Sequence, residues 1–150
     1  MNSSEFFGAI PAATRARLPR RLQGFQVNRR AWLVQLYYTH PLLHYEVWNL
    51  GDRRGRLEIG LHFESRTPAE NERLLRGFQA HLFEIKAELG ESIEAEAWDK
   101  GWTKVYEAIP REPFAPDYVD RIAARLAQVI VVMQPIFEHV YKGHRRTEPK

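Results

Sequence analysis

A five-residue loop, Gly51-Asp52-Arg53-Arg54-Gly55, sits between two runs of alternating residues, Tyr45 to Leu50 and Arg56 to Glu64, and narrows the folds open to this chain more than any other stretch. Glycine at both ends with charge between suits a hairpin connection, and a period of two suits strands with one buried face. If the hairpin closes symmetrically, facing residue numbers sum to 106. Tyr45 then faces Leu61, Val47 faces Ile59 and Leu43 lies near Phe63, an apolar set made for a core. The opposite side gathers His44, Glu46, Trp48, Glu58, Gly60 and His62.

The flanking segments extend this frame. Upstream, Trp32, Val34, Leu36 and Tyr38 fall on one side of an extended run ending at His40-Pro41, a first strand. Downstream, Thr67-Pro68-Ala69-Glu70 opens a helix with a hydroxyl N-cap, proline at the first position and a carboxylate three residues after the cap. Leu74, Leu75, Phe78, Leu82, Ile85 and Leu89 continue it to Gly90. Ile93 to Trp98 and Trp102 to Ile109 flank Asp99-Lys100-Gly101 as a second hairpin, with Trp98 facing Trp102, Glu96 opposite Lys104 and Glu94 opposite Tyr106. The reverse side of that hairpin, Ala95, Ala97, Thr103 and Val105, is small enough for a helix to lie close. After a proline-punctuated crossover, the apolar spacing from Tyr118 to Tyr141 predicts a long helix that Pro135 should bend or divide near Val131.

The expected fold class is therefore α+β, in two layers: an antiparallel sheet of about five strands, in the order βββ-α-ββ-α, with two long helices on one face. Residues 1–24 carry Gly8, Pro11, Pro19 and Gly24 and read as a basic N-terminal arm, 25–142 as a single α+β domain, and 143–150 as a basic, disordered tail.

Composition removes several classes of function. With 150 residues the chain can build its own core, and with no cysteine it has no disulfide frame, thiolate metal site or thiol nucleophile. The most apolar stretch, Ile122 to Val140, is broken by Arg125, Gln128, Gln134 and Glu138, so no membrane contact is expected. The first residues lack a basic segment followed by an apolar one, and a cytoplasmic location is the expectation. Phosphate-loop, dinucleotide and serine-hydrolase signatures are absent. The one Glu-x-Lys triplet, Glu84-Ile85-Lys86, falls on a helix where residues two apart diverge, which speaks against a restriction-type nuclease. These absences point away from a conventional enzyme.

Three groups of residues remain as candidate sites. His44, Glu46, His62 and Glu64 lie on adjacent strands, where two imidazoles and two carboxylates suit zinc, manganese or iron, and Gly60 opposite Glu46 would leave room for a ligand. The plainer reading is a solvated sheet face, because helices on one side leave the other to water. Trp98, Trp102 and Tyr106 form a second group, either paired with one another or presented to a partner, including a second copy of the chain. Third, the segment between Phe6 and Tyr45 has no acidic residue and contains Arg15, Arg17, Arg20, Arg21, Arg29 and Arg30, a charge imbalance that attracts phosphate or an acidic surface.

Arg56-Leu57-Glu58-Ile59-Gly60-Leu61, Asn71, Leu74-Leu75, Leu89-Gly90, Glu96-Ala97-Trp98 and the final long helix together resemble a bacterial family catalogued as domain of unknown function 4268, over residues of about 45–141. Its members occur alone or joined to restriction-nuclease-like domains. The resemblance implies an accessory to DNA-directed or defence systems and transfers no catalytic residue. The expectation is a non-catalytic binding or assembly domain whose partner is nucleic acid or a nucleic-acid-acting protein. A metal- or small-ligand-binding protein built on His44 and His62, and a homodimer sealed by aromatics, are the alternatives.

Overall fold

The computed structural model describes residues 1–147, with side chains through residue 143. Its elements are α1 (Ser3–Arg15), a 3-10 turn (Arg20–Leu22), β1 (Gln26–Arg30), β2 (Leu33–Tyr37), β3 (Leu43–Asn49), β4 (Arg56–Phe63), α2 (Pro68–Ala80), α3 (Leu82–Leu89), β5 (Glu94–Ala97), β6 (Thr103–Pro110) and α4 (Pro116–Thr147). The strands form one antiparallel sheet in the order β1-β2-β3-β4-β6-β5. The α+β class holds, with six strands in place of about five and four helices.

Both hairpins close in the expected register. Leu43 faces Phe63, Tyr45 faces Leu61 and Val47 faces Ile59, while Glu94 faces Tyr106 and Glu96 faces Lys104. Odd-numbered residues of β3 and β4 turn towards the helices. There Phe63 packs on Phe78 of α2 at 5.4 Å and Phe137 of α4 at 6.3 Å, and the buried Tyr45 hydroxyl donates to Gln134 at 2.8 Å.

Several local expectations are corrected. Residues 1–24 are not an arm: Asn2 and Glu5 form a capping box, and α1 sends Phe6, Phe7 and Ile10 fully into the core, where Phe6 stacks on Phe114 at 4.4 Å. Pro11 lies within this helix and removes a single hydrogen bond. β1 adds an edge strand that residue periodicity did not reveal. Trp32 belongs to the two-residue turn between β1 and β2 and is half exposed, so it does not share the buried side of Val34 and Leu36. The helix from Pro68 to Leu89 breaks at His81 into α2 and α3. Thr67 makes no side-chain cap; the buried Asn71 instead accepts from the Ser65 amide and donates to the Ser65 carbonyl.

α4 continues undivided through Pro135, because the carbonyl that proline leaves unpaired belongs to Val131 on the exposed side of the helix. That helix runs to Thr147 across most of the expected disordered tail, and residues 148–150 lie outside the described residues. Among the described residues no helix is long and apolar enough to cross a membrane.

Candidate metal centre

The even-numbered residues of β3 and β4 emerge on the helix-free side of the sheet, yet they are buried. His44 is 1% exposed, Glu46 4%, Glu58 2% and His62 0%. This corrects the expectation of a solvated face. The covering comes from the sheet itself. Trp98, just past β5, reaches over β6 and β4 to contact Trp48 of β3 at 6.0 Å between ring centroids, stands edge-on to His62 at 5.7 Å and packs on Trp102 at 5.4 Å. Adjacent strands lie roughly 4.8 Å apart, so side chains from the third strand away meet only because the sheet coils inward and the hairpin tip folds over it.

Gly60 serves that coiling. A Cβ there would fall 2.5 Å from both Tyr106 Cβ and the Val105 carbonyl oxygen. The space opposite Glu46 is filled by β6, and the expectation that Gly60 leaves room for a ligand is corrected. The tip itself is fastened from the other side: Asn71 of α2 donates to the Gly101 carbonyl at 3.1 Å, and Pro68 lies against Gly101.

Under this roof the polar side chains are tightly matched. His62 bonds through Nε2 to Glu58 at 2.6 Å and through Nδ1 to Glu64 at 3.0 Å. Lys104, directly opposite His62 on β6, donates to the second oxygen of Glu58 at 2.8 Å and lies over the faces of Trp98 and Tyr106. Glu46 accepts from the Gln35 amide at 2.8 Å. Burial disfavours charge on His62, but its bonds to Glu58 and Glu64, reinforced by the nearby Glu46, outweigh that and raise its pKa from 6.5 to about 9. For Glu46, burial likewise opposes charge, and the His44 and His62 rings with the Gln35 amide overcome it, holding the carboxyl below its ordinary range.

His44 is the exception to this matching. Its Nδ1 lies 2.8 Å from the Pro41 carbonyl, which can only accept, so Nδ1 carries a proton and the ring turns its Nε2 inward. Carboxylate oxygens of Glu46 and Glu64 stand 3.2 and 3.7 Å from that nitrogen, but it makes no hydrogen bond. The second oxygen of Glu46 is 3.8 Å from His62 Nε2. One ligand atom from each of His44, Glu46, His62 and Glu64 lies within 4.8 Å of all the others. Around tetrahedral zinc, with bonds of about 2.0–2.1 Å, ligand atoms stand about 3.3–3.4 Å apart, so small side-chain shifts would close the group on an ion.

All four residues of the first sequence candidate thus meet in space. Glu58, Lys104 and Gln35 complete their surroundings. Glu58 was visible four residues before His62 on the same strand face, whereas Lys104 and Gln35 arrive through the β4–β6 and β2–β3 pairings.

The aromatic candidates are also together, since Trp98, Trp102 and Tyr106 are all half-buried parts of the roof and its edge. The six arginines do not act as one group. Arg15 donates to the Gln23 carbonyl and covers the Phe25 ring, Arg17 donates to the Ala13 carbonyl and lies 3.4 Å from Asp120, and Arg29 bonds Ser4 beside the start of α1. Arg20, Arg21 and Arg30 are exposed. Compared with known protein families, with curated proteins and with solved structures, the chain matches none.

Proposed function

We propose that this chain is a metal-binding domain whose roofed sheet face holds one divalent transition cation through His44, Glu46, His62 and Glu64. The observation that carries the reading is His44 Nε2, a buried nitrogen without a hydrogen bond that lies among carboxylates, in a ring oriented by a backbone carbonyl on its other nitrogen. Such a carbonyl partner is how metal-binding imidazoles are usually held in tautomer and direction. Charge supports it as well. Glu46, Glu58 and Glu64 against Lys104 leave two negative charges, which two imidazolium protons or a single divalent cation would balance. Two imidazoles with two carboxylates suit zinc, iron or manganese.

Calorimetric titration of chelator-treated protein with Zn²⁺ tests the reading. One equivalent is expected to bind, and His44→Ala, with an unchanged circular dichroism spectrum, is expected to lose it. Absence of stoichiometric binding by the wild-type chain overturns the proposal.

Recruitment to DNA, which the arginine-rich segment and the family resemblance favour, draws its support from the exposed Arg20, Arg21 and Arg30, the other three being engaged within the chain. Its measure is the salt dependence of duplex binding, about 0.9 in log–log slope for each phosphate neutralised. Homodimerisation through the aromatics competes with their packing within one chain, and Trp98→Glu followed by ultracentrifugation addresses it.

A further inference from the structure

On the opposite side of the sheet from His44 and His62, a cavity of about 420 Å³ opens between the 3-10 turn, the end of β2 and the C-terminal half of α4. Its size falls within the roughly 300–1,000 Å³ of small-molecule sites. The walls are aromatic. The sheet contributes Tyr38, edge-on to Tyr45 at 6.4 Å, and α4 contributes Phe137 and Tyr141, whose stacked rings lie 5.4 Å apart. The Tyr38 hydroxyl donates to the Leu22 carbonyl at 2.6 Å and so ties the turn that carries Arg21 to this wall. Gln134 also lines the cavity, although it is only 3% exposed. Its Oε1 is taken by the buried Tyr45 hydroxyl at 2.8 Å, which leaves Nε2 on the Glu138 side. The bond made there is long, at 3.5 Å, and the second N–H of the amide has no partner among the described residues.

Three charged side chains complete the lining: Arg21, Glu138 and Lys142. Glu138 and Lys142 are four apart on one helix, a spacing at which opposite charges commonly pair. Yet among the described residues the side chains of Arg21 and Lys142 form no ion pair or hydrogen bond, with Glu138 or with anything else. Burial pushes the Tyr38 hydroxyl up to about 12, the charges of Arg15 and Arg21 pull it down and that of Glu138 raises it, so both signs act at this wall.

We infer that the cavity binds a free aromatic amino acid, with the ring against Tyr38, Phe137 and Tyr141, the carboxylate at Arg21, Lys142 and the open N–H of Gln134, and the ammonium at Glu138. The site is independent of the proposed cation centre. Charge selects the class: a lone carboxylate would lie beside Glu138 uncompensated, a lone ammonium would meet two cations, and a zwitterion answers both signs at once. Aromatic walls select the ring, which stacks on them or meets them edge-on.

Calorimetric titration of the full chain with four probes tests this. L-Phenylalanine carries all three elements, 3-phenylpropionate lacks the ammonium, 2-phenylethylamine lacks the carboxylate and L-alanine lacks the ring. L-Phenylalanine is expected to bind one to one with a dissociation constant below about 1 mM. The two probes missing a charge are expected to bind about tenfold more weakly or worse, the usual worth of a hydrogen bond to a charged group, and L-alanine to show no saturation. Glu138→Gln is expected to bring L-phenylalanine down to the level of 3-phenylpropionate, and Lys142→Gln to weaken both while sparing 2-phenylethylamine.

If L-phenylalanine does not bind, the inference is overturned. If 3-phenylpropionate binds the wild-type chain as tightly as L-phenylalanine, the amino acid class is wrong. If Glu138→Gln and Lys142→Gln both leave L-phenylalanine binding unchanged, it sits elsewhere and the cavity is not its site. The ranking of the four probes is read on the wild-type chain, so poor folding of a variant would not shield the inference.

Discussion

The two sides of the β3–β4 ladder are equally dry and are kept so by opposite means. On the odd-numbered side Tyr45, Val47, Ile59, Leu61 and Phe63 meet helices, and every square ångström removed from water helps whatever the neighbour. On the even-numbered side His44, Glu46, Glu58 and His62 are tolerable only while each charge is met by another, since an unmatched buried ion costs several kcal/mol. A sheet face of this second kind is an expensive way to fill space. Its upkeep calls for a chemical reason, and the proposed cation site would supply one.

Four measurements press on that contrast. Phe63→Ala removes a fully buried ring between α2 and α4 and should lower stability by about 3–5 kcal/mol in urea unfolding, with no effect of added metal on the size of the loss. On the polar side, Zn²⁺ at a free concentration 100 times its dissociation constant should raise the unfolding free energy by about 2.7 kcal/mol, and should do nothing for His44→Ala. Gly60→Ala, which drives a methyl group into β6, should cost about 1–3 kcal/mol and weaken Zn²⁺ binding with it, whereas a loss of stability alone would separate the coiling of the sheet from the site. Arg29→Ala, outside both faces and exposed, should change stability by roughly 0.5 kcal/mol at most and leave Zn²⁺ binding untouched.

Most of this fold was legible where structure is local. The hairpin loops determine which residues face each other, so His44, Glu46, His62 and Glu64 were brought to one surface before any coordinates. What escaped depends on distant parts of the chain or on strands with nothing to bury. β1 has five exposed residues, so no alternation marks it. α1 was hidden by reading Pro11 as a break, although Asn2 and Glu5 and the spacing of Phe6 and Ile10 were there to be weighed against it. The pairing of His62 with Lys104 joins strands separated by two helices and a hairpin strand, and no turn rule reaches across that interval. Burial of the polar side was missed for the same reason, because it follows from the coiling that lets Trp98 meet Trp48.

The grip of Asn71 and Pro68 on Gly101 bears on traffic into the cluster. Because the tip bearing Trp98 and Trp102 is latched to the first turn of a core helix, it is no free flap. A cation bound at the proposed site would lie beneath a tip held by that latch, so access to it would depend on the integrity of α2, with the controlling residues on the far side of the sheet from what they admit.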